Sequence, residues 1–230
     1  MPVTHRRHLL TRGLAGVATG LLAALPGAAS AQRAGRPFTI VVLGDSLTAG
    51  YGLSRAQAFP ARLQARLLAA GHQVRIVNAG LSGDTTAGGL ARFDFAVPRG
   101  ADAVLIALGG NDMLQGMSPQ AAKANIDAMI VAAKAKRVRV ALLGMRAPSN
   151  WGAAYARAFD GLYPALARKH GVPLDPFMLE GVALDPRLNQ SDGIHPNAAG
   201  ADRMAARLTP FVARAFGLRA ASVPQKKAVR

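Results

Sequence analysis

The 230-residue chain contains no cysteine. That excludes disulfide staples, thiolate metal centres and a cysteine nucleophile, and it leaves stability to packing alone. Aromatic residues are scarce at 5 %, and none interleaves with a basic cluster, so the stacking platform of a single-strand nucleic-acid binder is absent. Acidic residues are also few, 12 against 28 lysines and arginines, for a formal net charge of +16. Long hydrophobic runs are missing: Gly13–Leu25 offers 13 uncharged residues before Pro26 breaks it, too few to cross a hydrocarbon core of roughly 30 Å. What is present in quantity is apolar residue, 50 % of the chain, enough to bury a full core in one domain but short for two.

The first 31 residues differ from the rest. His5-Arg6-Arg7-His8 and Arg12 make a basic start, Gly13–Leu25 an apolar centre, and Ala29-Ser30-Ala31 a small-x-small cleavage pattern. A signal peptide over residues 1–31 is therefore expected, with cleavage after Ala31 and a periplasmic or secreted destination. Arg6-Arg7 followed by His8-Leu9-Leu10 resembles a twin-arginine signal, beside the ordinary general-export alternative. Removing Arg6, Arg7 and Arg12 leaves +13; four more positives (Arg219, Lys226, Lys227, Arg230) lie in a C-terminal stretch, residues 219–230, that reads as a mobile basic tail. The other arginines are scattered singly, so no nucleic-acid partner is expected. The charge is compatible with peripheral contact to anionic lipid.

Between these ends, over residues 32–218, short β-branched runs alternate with longer alanine-rich segments. Strands are predicted at Phe38–Leu43, Val74–Asn78, Ala103–Leu108 and Val138–Leu143, with a weaker one at Val172–Leu174. Helices are predicted at about 55–70, 85–97, 119–136, 150–170 and 197–216. Continuous apolar strands alternating with helices imply an α/β fold, a parallel sheet covered on both faces. Ligands in such sheets bind beyond the carboxyl ends of the strands, which makes the residues just after each strand informative.

Those residues are Gly44-Asp45-Ser46-Leu47-Thr48-Ala49-Gly50, Asn78-Ala79-Gly80 and Gly109-Gly110-Asn111-Asp112, and Asp192-Gly193-Ile194-His195-Pro196 precedes the last helix. Acyl transfer needs a hydroxyl, a base, a group to hold the base, and donors aimed at a developing oxyanion. Ser46 offers the hydroxyl at a strand-to-helix turn where backbone N–H groups are unused by the helix. The N–H groups of Ser46 and Gly80 and the Asn111 amide offer the donors. Of the three histidines beyond the leader, His72 sits at a turn and His170 in a last helical turn, where a cation beside the helix C-terminus is unremarkable. His195 has Asp192 three residues before it, so one turn of chain brings carboxylate to imidazole; if Pro196 opens the last helix, the positive helix end favours the neutral base. Taken singly, each block also fits a phosphate-binding turn, an N-cap or a common Asp-Gly turn.

Together, Gly44-Asp45-Ser46-Leu47, Gly80, Gly109-x-Asn111-Asp112 and Asp192-x-x-His195 resemble the four signature blocks of the GDSL or SGNH hydrolase family. Asn78-Ala79-Gly80-Leu81-Ser82-Gly83-Asp84-Thr85-Thr86 and Arg146-Ala147-Pro148-Ser149-Asn150-Trp151-Gly152 resemble the small periplasmic branch of multifunctional acyl-CoA thioesterases, lysophospholipases and arylesterases. The resemblance implies a flavodoxin-like three-layer α/β/α sandwich with a mostly parallel sheet of about five strands. It also implies the triad Ser46, Asp192 and His195, with an oxyanion hole of Ser46 N–H, Gly80 N–H and Asn111. Two positions depart from the pattern: Gly52 stands where a bulkier residue is expected, and Trp151 where tyrosine is. Both bear on the acyl pocket rather than the triad.

The expected reaction is hydrolysis of small-molecule esters or thioesters by a monomeric enzyme needing no cofactor or metal; no His-x-x-x-His pair follows the leader. Leu81, Met113, Leu114, Met117, Pro148 and Trp151 are the candidate pocket walls. Two alternatives stand beside this reading, a carbohydrate O-acetylesterase of the same family and a non-catalytic module whose Gly44–Ser46 turn holds an anion.

Overall fold

A computed structural model of the protein describes residues 36–220; the expected leader and the positions beyond 220 lie outside them. Five strands, β1 (Phe38–Gly44), β2 (Val74–Gly80), β3 (Ala103–Ala107), β4 (Arg139–Leu143) and β5 (Leu174–Asp175), form one sheet in the order β2-β1-β3-β4-β5. Every pairing is parallel. Among the described residues eight α-helices accompany them: α1 (Ser46–Ala49), α2 (Phe59–Ala69), α3 (Thr86–Ala91), α4 (Phe93–Ala96), α5 (Gly110–Leu114), α6 (Pro119–Ala135), α7 (Ala153–His170) and α8 (Ala198–Phe216).

The strand order follows from right-handed crossovers. From β1 the chain steps outward to β2, then returns past β1 to β3 and continues to β5. A right-handed connection must change sheet face when the direction of travel reverses. Accordingly α2 packs with α8 on one face, while α3, α6 and α7 pack together on the other. This is the flavodoxin-like α/β/α sandwich. The reversal lies between β1 and β3, where the first turns of the following segments diverge and leave a crevice.

The central strands are buried on both faces: all of β3 is inaccessible, as is β1 after Phe38. β2 differs, with Arg75 and Asn78 exposed, because an edge strand has a neighbour on one side only. In α8, Met204, Leu208, Val212 and Phe216 recur every fourth residue as a buried stripe, each side chain contributing about 1.5–3 kcal/mol of burial. Arg207 on the same helix makes a two-pronged contact with buried Asp175 of β5 at 2.6 and 2.8 Å, which fixes α8 against the sheet.

Two expectations need correction. The helix expected over 85–97 breaks at Arg92, whose backbone (φ −98°, ψ 5°) ends α3 and begins α4. The last helix is opened not by Pro196 but by Asn197, whose side-chain oxygen accepts the N–H groups of Ala199 and Gly200; Pro196 instead bridges Asn189. Within the expected tail, Ala220 forms an antiparallel bridge to His72. No helix among the described residues is long and apolar enough to cross a membrane.

Candidate active site

Ser46 is the first residue of α1, two positions past the end of β1. Asp45 caps that helix by accepting the Leu47 N–H at 3.0 Å, and the turn leaves the Ser46 N–H unused by helical bonding. Gly80 ends the neighbouring strand in register with Gly44. A side chain at Gly80 would collide with the backbone of Thr48 and Ala49, so glycine here lets α1 lie against β2.

Asp192, Ile194 and His195 form a tight loop. Oδ1 of Asp192 accepts the N–H groups of Ile194 and His195 at 2.9 and 3.0 Å, and its Oδ2 lies 2.6 Å from His195 Nδ1. His195 Nε2 lies 2.9 Å from Ser46 Oγ. The His195 N–H bond, followed by the imidazole contact and then the Ile194 N–H, holds the Asp192 carboxyl down at about 2. An ionised carboxylate can only accept, so Nδ1 carries the proton and Nε2 is free to accept the Ser46 hydroxyl. The loop is held by Asn197, whose amide donates to the carbonyls of Arg187 and Asn189 while its oxygen caps α8. Tyr51 packs against the imidazole, the two rings tilted by 37° with centroids 4.6 Å apart.

Asn111, in the first turn of α5, donates through Nδ2 to the Asp84 carbonyl at 2.8 Å; an amide nitrogen has a second hydrogen left. The Gly80 N–H donates to Asn78 Oδ1 at 2.9 Å. Sequence reasoning missed this partner, although a polar residue two before a strand end could have suggested it. Enlisting Gly80 as an oxyanion donor therefore requires that bond to be shared or exchanged.

Asp45, beside the serine, is 3 % exposed. Burial outweighs its hydrogen bond from Leu47 and pushes its carboxyl up to about 6. Ionising it costs little in the unfolded chain above pH 4 but a good deal in the folded one. The stabilisation from the neutral acid is thus complete below the unfolded value of 3.8 and is lost as pH rises through about 6. In Asp45→Asn the stability gap from the parent should shift in favour of the variant by about 2 kcal/mol between pH 4 and pH 8, at roughly 1.4 kcal/mol per pKa unit, the unfolded carboxyl being already partly ionised at pH 4. Urea unfolding of both proteins across that range checks it, and a gap independent of pH would refute it.

Ser46, Asn111 and His195 border a cavity of about 540 Å³. Of the expected walls, Met113, Leu114 and Pro148 line it. Leu81, Met117 and Trp151 do not: Leu81 is exposed, and its N–H donates to Gly44 O at 3.0 Å. The Met117 carbonyl accepts from Tyr155 Oη at 3.0 Å, and Trp151 packs on that tyrosine. Sequence reasoning missed Met145, Phe177, Leu179, Leu184 and Ile194, which also line the cavity. The same rule of inspecting residues after each strand, extended to β4 and β5, would have found the first three. Among the described residues no cluster of three or more His, Asp or Glu side chains could hold a metal.

Residues 42–203 match the GDSL-like lipase/acylhydrolase family. The chain is similar to "Esterase TesA" of Pseudomonas aeruginosa, 43 % identical over 173 residues, covering 75 % of this chain and 86 % of that protein. It is similar also to "Thioesterase 1/protease 1/lysophospholipase L1" of Escherichia coli strain K12, 40 % identical over 185 residues, 78 % of this chain and 88 % of the relative. A crystal structure of TesA superposes with a TM-score of 0.72 at 42 % identity, covering 76 % of this chain and 97 % of its own.

Proposed function

The chain belongs to the GDSL-like lipase/acylhydrolase family and is an enzyme acting on ester bonds, and we propose that it works through an acyl-enzyme on Ser46. In this reading His195 Nε2 takes the serine proton as Oγ attacks the acyl carbonyl. Asp192 holds the imidazole in the tautomer that can do so. The negative charge on the carbonyl oxygen falls to the Ser46 N–H and the second Asn111 hydrogen, with the Gly80 N–H joining them as it leaves Asn78. His195 then protonates the leaving group and activates the water that releases the acid. The observation that carries this is the unbroken relay of 2.6 Å and 2.9 Å from Asp192 through His195 to Ser46.

The substrate class proposed is an ester or thioester with an acyl chain or aryl group larger than acetyl. The support is the cavity beside Ser46, walled by Met113, Met145, Phe177 and Leu179, since an acetyl group needs no such volume. The relatives named esterase and thioesterase/lysophospholipase fit the same class. Export to the periplasm or beyond, after loss of residues 1–31, action as a monomer and peripheral contact with anionic lipid are part of the proposal.

The test compares 4-nitrophenyl esters of increasing chain length with acyl-CoA, lysophospholipid and acetylated sugars. Turnover per active site, counted by fluorophosphonate labelling, should rise from acetyl to medium-chain substrates. Preference for acetylated sugars would favour the O-acetylesterase alternative. A folded protein that resists the fluorophosphonate would sink the acyl-enzyme.

A further inference from the structure

Arg92 sits at the break between α3 and α4, where the chain leaves helical geometry for one residue. Its guanidinium reaches back under the active edge of the sheet. Nε donates to Asp84 Oδ2 at 2.7 Å, one terminal nitrogen to Ala79 O at 2.9 Å, and the other to Gly44 O at 3.0 Å. Each acceptor lies next to a proposed oxyanion donor. Gly44 is two residues before Ser46 at the end of β1, and Ala79 immediately precedes Gly80 at the end of β2. Asp84 presents the carbonyl that holds Asn111 Nδ2. One planar cation therefore ties together the three backbone segments on which the oxyanion hole depends.

We propose that Arg92, locked by Asp84, is a positioning residue that sets the spacing of the oxyanion donors on Ser46 and Asn111. The role rests on the acyl-enzyme reading above. Its physical basis is the fork of the guanidinium, whose donors diverge in fixed directions and can satisfy three acceptors at once. Asp84 is 8 % exposed, so its charge holds the cation in place rather than leaving it to water. The segment following Asp84 is gripped from the opposite side as well, since Asp112 of α5 accepts the Thr86 N–H at 2.8 Å. Asn111 thus sits between a segment clamped at both ends and the helix that carries it. An error in that clamp would displace a donor from an oxygen that becomes fully charged only in the transition state, while leaving the cavity for the acyl chain as it is.

The experiment uses Arg92→Lys, which keeps the charge and can satisfy one or two acceptors but not all three. With a 4-nitrophenyl ester, kcat should fall roughly 10- to 100-fold while KM changes little, as befits a small misplacement of donors. Affinity for an alkyl trifluoromethyl ketone, which forms an oxyanion on Ser46, should fall by a similar factor. Asp84→Asn keeps the carbonyl that holds Asn111 and the two other arginine bonds, and should give a smaller loss of the same kind; it also serves if the lysine variant fails to fold. A folded Arg92→Lys or Asp84→Asn with unchanged kcat overturns the role, as does a loss confined to KM or one that the ketone affinity does not follow. If Ser46→Ala kept its turnover, the acyl-enzyme itself would fall and this role with it. An inactive Ser46→Ala beside a fully active Arg92 variant overturns the positioning role alone.

Discussion

Ser46→Ala is expected to lower kcat by about 10⁴-fold or more while leaving the protein folded. The loss is large because alanine removes the hydroxyl that stands 2.9 Å from His195 and that, in the proposed mechanism, attacks the carbonyl and surrenders its proton. What remains is hydrolysis by water, helped by the donors and the base but deprived of the covalent step. The fold should hardly notice. The serine side chain packs into no core cluster, and its hydroxyl contributes one hydrogen bond to a partly exposed histidine. Losing such a bond costs about 1 kcal/mol, which for a domain of this size moves Tm by roughly 2–4 °C. Thermal unfolding, ester turnover and fluorophosphonate labelling on one preparation check all three statements. A folded variant retaining a tenth of the parent's turnover would show that another group is the nucleophile.

How far the sequence leads depends on the range over which each constraint acts. Buried strands such as Ala103–Ala107 are legible because a parallel sheet covered on both faces demands unbroken apolar runs. Ser46 and Asn111 are legible for a related reason: strand ends in such a sheet converge on one edge, so position after a strand substitutes for position in space, while the Asp192–His195 loop is marked by its three-residue spacing ahead of the last helix. Arg92 was invisible, hidden in the middle of an expected helix, because its meaning arises only when α3 folds its end beneath β1 and β2. Asn78 was read as the end of a strand, and the local possibility that its side chain takes the Gly80 N–H two residues on was passed over. The far wall of the cavity was missed likewise. Met145, Phe177 and Leu179 follow β4 and β5, two strand ends from which the rule was not extended to the site. Trp151 went astray in the opposite direction, its size suggesting a pocket wall where it in fact packs on Tyr155.

Asp192→Asn tests the orienting role most sharply, because it changes one atom and preserves shape. Asp192 Oδ1 accepts two backbone N–H groups, from Ile194 and His195. An asparagine must place its own oxygen there, since turning the amide over would set NH₂ against two donors. Its nitrogen then faces His195 Nδ1, where the carboxylate oxygen stood at 2.6 Å. A donor in that place requires an unprotonated Nδ1, which sends the ring proton to Nε2. That nitrogen faces Ser46 Oγ and can no longer accept its hydrogen. The expected fall in kcat is about 10³–10⁴-fold, the range for a triad histidine held in the wrong tautomer, with KM little changed. The defect should persist across the assay range, because the parent carboxyl, held at about 2, stays ionised throughout and the asparagine is neutral throughout. Nitrogen-15 NMR of the imidazole reads the cause directly. The proton should sit on Nδ1 in the parent and on Nε2 in the variant. A variant that keeps the proton on Nδ1, or one that shifts it to Nε2 without slowing turnover, would break the link between this carboxylate and the chemistry at Ser46.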